Sequence, residues 1–138
     1  MINNSSKDKA SKKYIRIVRK ANLYDGFLMK NKAIDIMTNA LKQPLTRKEI
    51  SSAYIYIGLL YSELKEYKEA SDNFHKGLSI VEREEFRYSP NFNKIIKAFI
   101  KNGDLEKATF WLDNLNRRKL YDKKFKRLGY LNSYLKKG

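Results

Sequence analysis

The chain has 138 residues, 42% of them apolar, and 30 Lys and Arg against 15 Asp and Glu, a net charge of +15. It holds no cysteine, which excludes disulfides and thiolate metal sites, and no apolar run reaches the roughly 18–20 residues of a membrane span. Two prolines and six glycines leave room for long helices, so one all-α domain in a reducing cytoplasm is expected.

Residues 1–10 are rich in Asn, Ser and Lys, lack the apolar stretch of a secretory leader, and are expected to form a disordered polar tail. The first helical pair is predicted over about 11–42. Ile17, Ala21 and Tyr24, then Ala33, Met37 and Ala40, recur at helical intervals, although Lys20 interrupts the first stripe. Asp25-Gly26 is the expected break between the two helices.

The second pair, about 46–84, carries the clearest pattern. Pro44 disfavours helix before it, and Thr46 with Glu49 forms a capping box. One helix is predicted from Arg47 to about Leu64, with Ile50, Tyr54, Ile57, Gly58 and Tyr61 on one stripe. After a polar break at Lys65-Glu66, a second runs from Tyr67 to about Glu84, with Ala70, Phe74, Gly77, Leu78 and Val81 facing inward.

The frame returns over about 89–116. Ser89-Pro90 reads as an N-cap followed by proline in the first turn. Phe92, Ile95, Ile96 and Phe99 precede an Asn102-Gly103-Asp104 stop, turn and N-cap, and Ala108, Leu112 and Leu115 follow. Ile96 stands where the second pair has Gly58, so these two helices are expected to sit farther apart. A final helix is predicted over about 118–136. Its apolar face is Tyr121, Phe125, Leu128, Leu131, Tyr134 and Leu135, and Lys119, Lys123, Lys124, Lys126, Arg127, Lys136 and Lys137 cover the rest. It would cap the open end of a stack, or act as a basic amphipathic helix toward a membrane surface or partner.

Large and small residues at these spacings, above all Tyr54, Ile57-Gly58, Tyr61, Ala70 and Phe74, resemble the tetratricopeptide repeat. The resemblance covers about residues 14–116 and is strongest over 51–84. Ala33, Ala70 and Ala108 are 37 and 38 residues apart, longer than the family period of about 34. The resemblance implies a right-handed α-solenoid of three antiparallel helical hairpins plus a C-terminal cap. It also implies a concave groove lined by the first helix of each hairpin. Its groove positions would be Ile15, Val18, Asn22 and Asp25, then Ser52, Ile55, Leu59 and Ser62, then Asn93, Lys97, Ile100 and Lys101. Asn22, Ile55, Leu59, Asn93, Lys97, Ile100 and Lys101 are the expected partner-binding residues. Val18 and Tyr56 occupy places where the family's carboxylate clamp has Lys and Asn, which argues against that variant.

Chemistry-bearing motifs are sparse. His75 is the sole histidine, too few for a zinc site, and is read as a surface side chain. Gly26 and Gly103 are lone turn glycines, with no phosphate-cradling loop. Glu82, Glu84 and Glu85 read as a solvated helix end, and Trp111 as inter-helix packing rather than a binding hot spot. No catalytic, metal or cofactor residues are assigned, and a non-enzymatic protein is expected.

The charge is uneven: +8 over residues 1–50, −2 over 51–84 and +9 over 85–138. Twenty-two Lys against eight Arg fits an AT-rich bacterial genome as well as a functional basic face. The leading expectation is an adaptor or regulatory module that binds a protein or peptide, acidic in character, in the groove. A basic nucleic-acid binder is the alternative, with aromatics interspersed among lysines. So is a small immunity- or antitoxin-like protein acting at a membrane surface.

Overall fold

The computed structural model describes residues 10–135, and every described helix is α or 3-10, with no strand among them. Six α-helices form three helix–turn–helix units: α1 (Lys12–Gly26) with α2 (Lys30–Ala40), α3 (Arg47–Glu63) with α4 (Tyr67–Ile80), and α5 (Asn91–Lys101) with α6 (Leu105–Arg117). Packing follows chain order, with α2 against α3 and α4 against α5, and α3 also touches α5. The tail expected over residues 1–10 lies, except for Ala10, outside the described residues, as do Lys136 and Lys137.

The caps follow the sequence closely. The Thr46 Oγ accepts from the Glu49 N–H at 3.1 Å, and the Glu49 carboxylate accepts from the Thr46 N–H at 3.0 Å. The same carboxylate accepts from the Ser11 N–H at 2.7 Å, so one buried acid also anchors the start of α1. Burial pushes the Glu49 carboxyl up, but the backbone hydrogen bonds from Thr46 and Ser11 outweigh it and hold it below its ordinary value. Ser89 Oγ accepts from the Asn91 N–H at 3.2 Å, but Pro90, not Ser89, is the N-cap of α5 and no side chain caps it. Asp104 does not cap its helix with its side chain; its carboxylate accepts from Ser71 Oγ and Asn102 Nδ2 instead.

The three turns are copies of one device. Met29, Glu66 and Asp104 donate their N–H to the carbonyls of Tyr24, Tyr61 and Phe99, at 2.8, 2.9 and 2.9 Å. Leu28, Lys65 and Gly103, one residue earlier, are left-handed, with φ of 62°, 62° and 77°. This six-to-one bond over a left-handed residue is the Schellman helix stop. Each left-handed residue precedes Ala33, Ala70 or Ala108 by five positions, so the turns share the 37- and 38-residue spacing. The first break was therefore misplaced in the sequence reading. Gly26 still belongs to α1, and the chain reverses at Leu28, in frame with the other two units.

Helices α3 and α4 approach far more closely along their length than α5 and α6 do. A Cβ added at Gly58 would stand 2.6 Å from two Phe74 ring carbons, and one at Gly77 would meet Ile55 Cδ1 at 2.9 Å. Ser51 Oγ spans the contact by donating to the Gly77 carbonyl at 2.7 Å. Ile96, in the place of Gly58, is fully buried in the larger core, and α5 and α6 approach less closely than α3 and α4.

Two segments depart from expectation. Helix α4 stops at Ile80 rather than near Glu84: the Gly77 and Ile80 carbonyls, which a longer helix would pair with Val81 and Glu84, accept from Ser51 Oγ and Arg47, and Arg118 takes the Glu82 and Glu84 carbonyls beyond. The single capping helix predicted over 118–136 is instead a 3-10 turn (Arg118–Leu120), a longer 3-10 stretch (Lys123–Leu131) and one α turn, α7 (Asn132–Leu135). The apolar spacing explains it. Phe125, Leu128 and Leu131, all fully buried, recur every three residues, which keeps them on one line only at three residues per turn. Asp122 starts the stretch by accepting from the Lys124 N–H at 3.0 Å. This segment packs on α6 and α5 and completes the larger of two hydrophobic cores. The other core lies between α1, α2 and α3, and Tyr61 touches both.

Candidate functional site

A concavity of about 640 Å³ is walled by α1, α3, the end of α4, the 81–90 linker and the start of α5. Its volume falls within the roughly 300–1,000 Å³ of ordinary ligand pockets. Ile55 and Leu59 of α3 face it together with Val18 of α1, Phe86 of the linker and Phe92 and Ile95 of α5. Their i, i+4 and i, i+3 spacings put them on single helix faces.

Several polar groups of the wall are engaged with one another. Tyr14 donates its hydroxyl to Ser52 Oγ at 3.0 Å, and Tyr56 donates its hydroxyl to Asn22 Oδ1. Burial pushes the Tyr56 phenol up to about 12, with Asp25 and Glu63 adding to the shift. Burial likewise raises Tyr14, so both phenols are neutral donors at physiological pH. Lys48 and Arg87 line the cavity alongside Glu84 and Glu85, so the charges there balance despite the basic chain. Glu84 is also held by Arg47 at 2.6 Å.

The groove residues expected from sequence divide into two sets. Asn22, Ile55 and Leu59 line the cavity, as do Val18 and Ser52. Asn93, Lys97, Ile100 and Lys101 do not. Asn93 donates to the Tyr130 hydroxyl, Ile100 packs against the core, Lys97 is exposed, and the Lys101 ammonium sits 5.2 Å from the Tyr67 ring centroid. Asp25 is taken by Lys30 at 2.5 Å, and Glu63 also accepts from Lys30 at 3.0 Å, which raises the lysine's pKa.

One determinant escaped the sequence reading. Arg118 is buried, stacks 3.7 Å from the Phe86 ring centroid, and donates to the Glu82 carbonyl at 2.8 Å, the Glu84 carbonyl at 2.5 Å and the Tyr121 hydroxyl at 2.8 Å. Its Nε donates to Asn114 Oδ1 at 3.1 Å. Tyr121 in turn donates to the Phe86 carbonyl at 3.0 Å, and Asp122 accepts from the Tyr88 N–H at 3.0 Å. The C-terminal segment therefore fixes the linker wall of the cavity. An arginine among many lysines is the only sequence signal for this role, and it is a weak one.

His75 lies elsewhere, on α4, where its Nδ1 accepts from the Trp111 indole N–H at 3.0 Å. Among the described residues no cluster of three His, Asp or Glu could hold a metal ion, and no helix is long and apolar enough to cross a membrane. The chain matches no family model and no curated protein.

Proposed function

We propose that the chain is a non-enzymatic protein-binding module, a tetratricopeptide-like solenoid of three hairpins whose concave side receives a segment of a partner. The observation that carries this reading is the cavity itself. Val18, Asn22, Ser52, Ile55 and Leu59, groove positions of the resemblance, line one concavity with the linker and α5. The identical Schellman turns at 37- and 38-residue intervals support the repeat. The occupant is an extended or helical segment with a bulky apolar anchor for Ile55, Leu59 and Phe92. Backbone groups of that segment find Ser52 and Asn22 within the same wall. An acidic flank on the partner would answer the net +15 and the exposed Lys97 on α5.

Selection of displayed random peptides on the immobilised chain tests this. The expected binders share an apolar anchor. They lose affinity at least ~tenfold with Leu59→Glu or Ser52→Arg, since each change puts a charge or bulk where the anchor must be desolvated. Circular dichroism checks that both variants fold. Sensitivity to Lys97→Glu/Lys101→Glu reports the acidic flank separately. Failure to select any binder, or binders indifferent to both cavity variants, overturns the proposal.

A further inference from the structure

From the first helical turn we infer a second interaction surface, one that docks on an anionic lipid bilayer. Leu23, Phe27, Leu28 and Met29 are large, apolar and exposed at one end of the first unit, Leu28 at 84% and Phe27 at 69%. Single exposed apolar residues are ordinary, but four within seven positions form a patch. Repetition within the molecule makes the patch informative. The left-handed position is lysine in the second turn and glycine in the third, and leucine only in the first. Leucine is poorly suited to φ of 62° and gains no burial there, so neither backbone geometry nor packing accounts for it.

The shape and charge of the patch select its occupant. These side chains project from an exposed turn and line no part of the concavity, so they are free to insert among deformable acyl chains. The exposed face of α1 leads to them with Lys12, Arg16, Arg19 and Lys20, and Lys32 follows on α2, its ammonium 5.9 Å from the Tyr24 ring centroid. Residues 12–42 hold eight basic and two acidic side chains. Apolar tips flanked by cations are matched by lipid headgroups that are anionic over an apolar interior. The surface lies apart from the cavity-lining residues, so its test is independent of the peptide-binding reading.

Co-sedimentation of the full chain with vesicles decides the matter. The probes are phosphatidylcholine vesicles with and without phosphatidylserine, at low salt and at about 0.15 M salt. Wild type is expected to pellet with the anionic vesicles and to retain binding at the higher salt, because insertion is not screened. Phe27→Ser/Leu28→Gly keeps the charge, and glycine already serves at the equivalent Gly103. Its partition is expected to fall at least ~tenfold. Leu28→Lys, which copies Lys65, is a second variant whose turn geometry the molecule already tolerates. Wild type that stays in the supernatant overturns the proposal, as does equal pelleting of wild type and the double variant. A vesicle-free dimer that the double variant dissociates, without vesicle binding, assigns the patch to self-association and also overturns it.

Discussion

The second and third helical units solve the same packing problem in opposite ways. In the second, Gly58 and Gly77 let α3 and α4 meet at near-backbone distance, with Phe74 lying across Gly58 and Ile55 across Gly77. In the third, a bulky Ile96 stands at the corresponding position, and the wider spacing goes with one core of Ile96, Phe99, Trp111 and the 3-10 residues Phe125, Leu128 and Leu131. Close approach needs small residues and leaves little to bury. Wide approach buries more apolar surface but depends on extra chain to close it. The third unit is accordingly tied to the C-terminal segment, whereas the second shares its buried side chains with both neighbours, α3 in the first core and α4 in the larger one.

Substitutions that exchange these strategies should rank accordingly. Ile96→Ala should cost the most, about 2–5 kcal/mol, because it opens a cavity in an interface that cannot collapse while the 3-10 segment props it. Chemical denaturation read by Trp111 emission would measure it. A loss under about 1 kcal/mol would show that α5 and α6 close up like α3 and α4. Arg118→Lys should follow at about 2 kcal/mol. Lysine keeps the charge but cannot reach the Glu82 and Glu84 carbonyls while stacking on Phe86. The same variant should raise amide exchange in residues 82–90 before exchange in α3, which would show that the linker wall depends on the third unit. Uniform exchange throughout would contradict that dependence.

Gly58→Ala should cost about 1 kcal/mol. The new methyl displaces the buried Phe74 ring, and the better helix propensity of alanine offsets part of the strain. A stabilised variant would mean that the ring yields freely, and the close approach would then not depend on glycine at this position.

The part of the fold written in local periodicity was legible in the sequence. The 3.6-residue stripes, the Thr46–Glu49 box and the small residues at Gly58, Gly77 and Ala70 all fall on the helices the structure shows. Contacts between units were not legible. Nothing local marks Leu28 as the left-handed residue when a glycine stands two positions earlier, because the frame of the turn is set by the bond from Met29 to Tyr24. Nothing local distinguishes Arg118 from its basic neighbours until the linker folds over it. The 3-10 segment was present as a strict three-residue apolar spacing, yet a run of lysines with apolar residues every three or four positions reads equally well as an α-helix. In the candidate site the α1 and α3 walls followed from periodicity. The linker wall did not, because Phe86 acquires its place through long-range contacts with Arg118, Tyr121 and Phe125.

The smallest effect concerns the contact that joins the two kinds of packing, His75 on α4 with Trp111 on α6. The indole N–H donates to Nδ1, so the histidine is held neutral with its proton on Nε2. Burial lowers its pKa from 6.5, the Lys107 ammonium adds to the shift, and Asp72, Glu82 and Asp104 oppose it. Because the folded value is depressed, the contribution to stability is complete above pH 6.5. It declines as the pH falls and levels off below the folded value. Denaturant midpoints measured between pH 6.5 and about 5.5, above the range of the carboxylates, should therefore fall for wild type and stay flat for His75→Gln. Trp111 emission should change over the same interval, as the protonated ring can no longer accept from the indole. A pH-independent midpoint in wild type would mean that the second and third units meet without this bond contributing. The two units would then be held together by the Phe74–Phe99 ring contact and the Ser71–Asp104 bond instead.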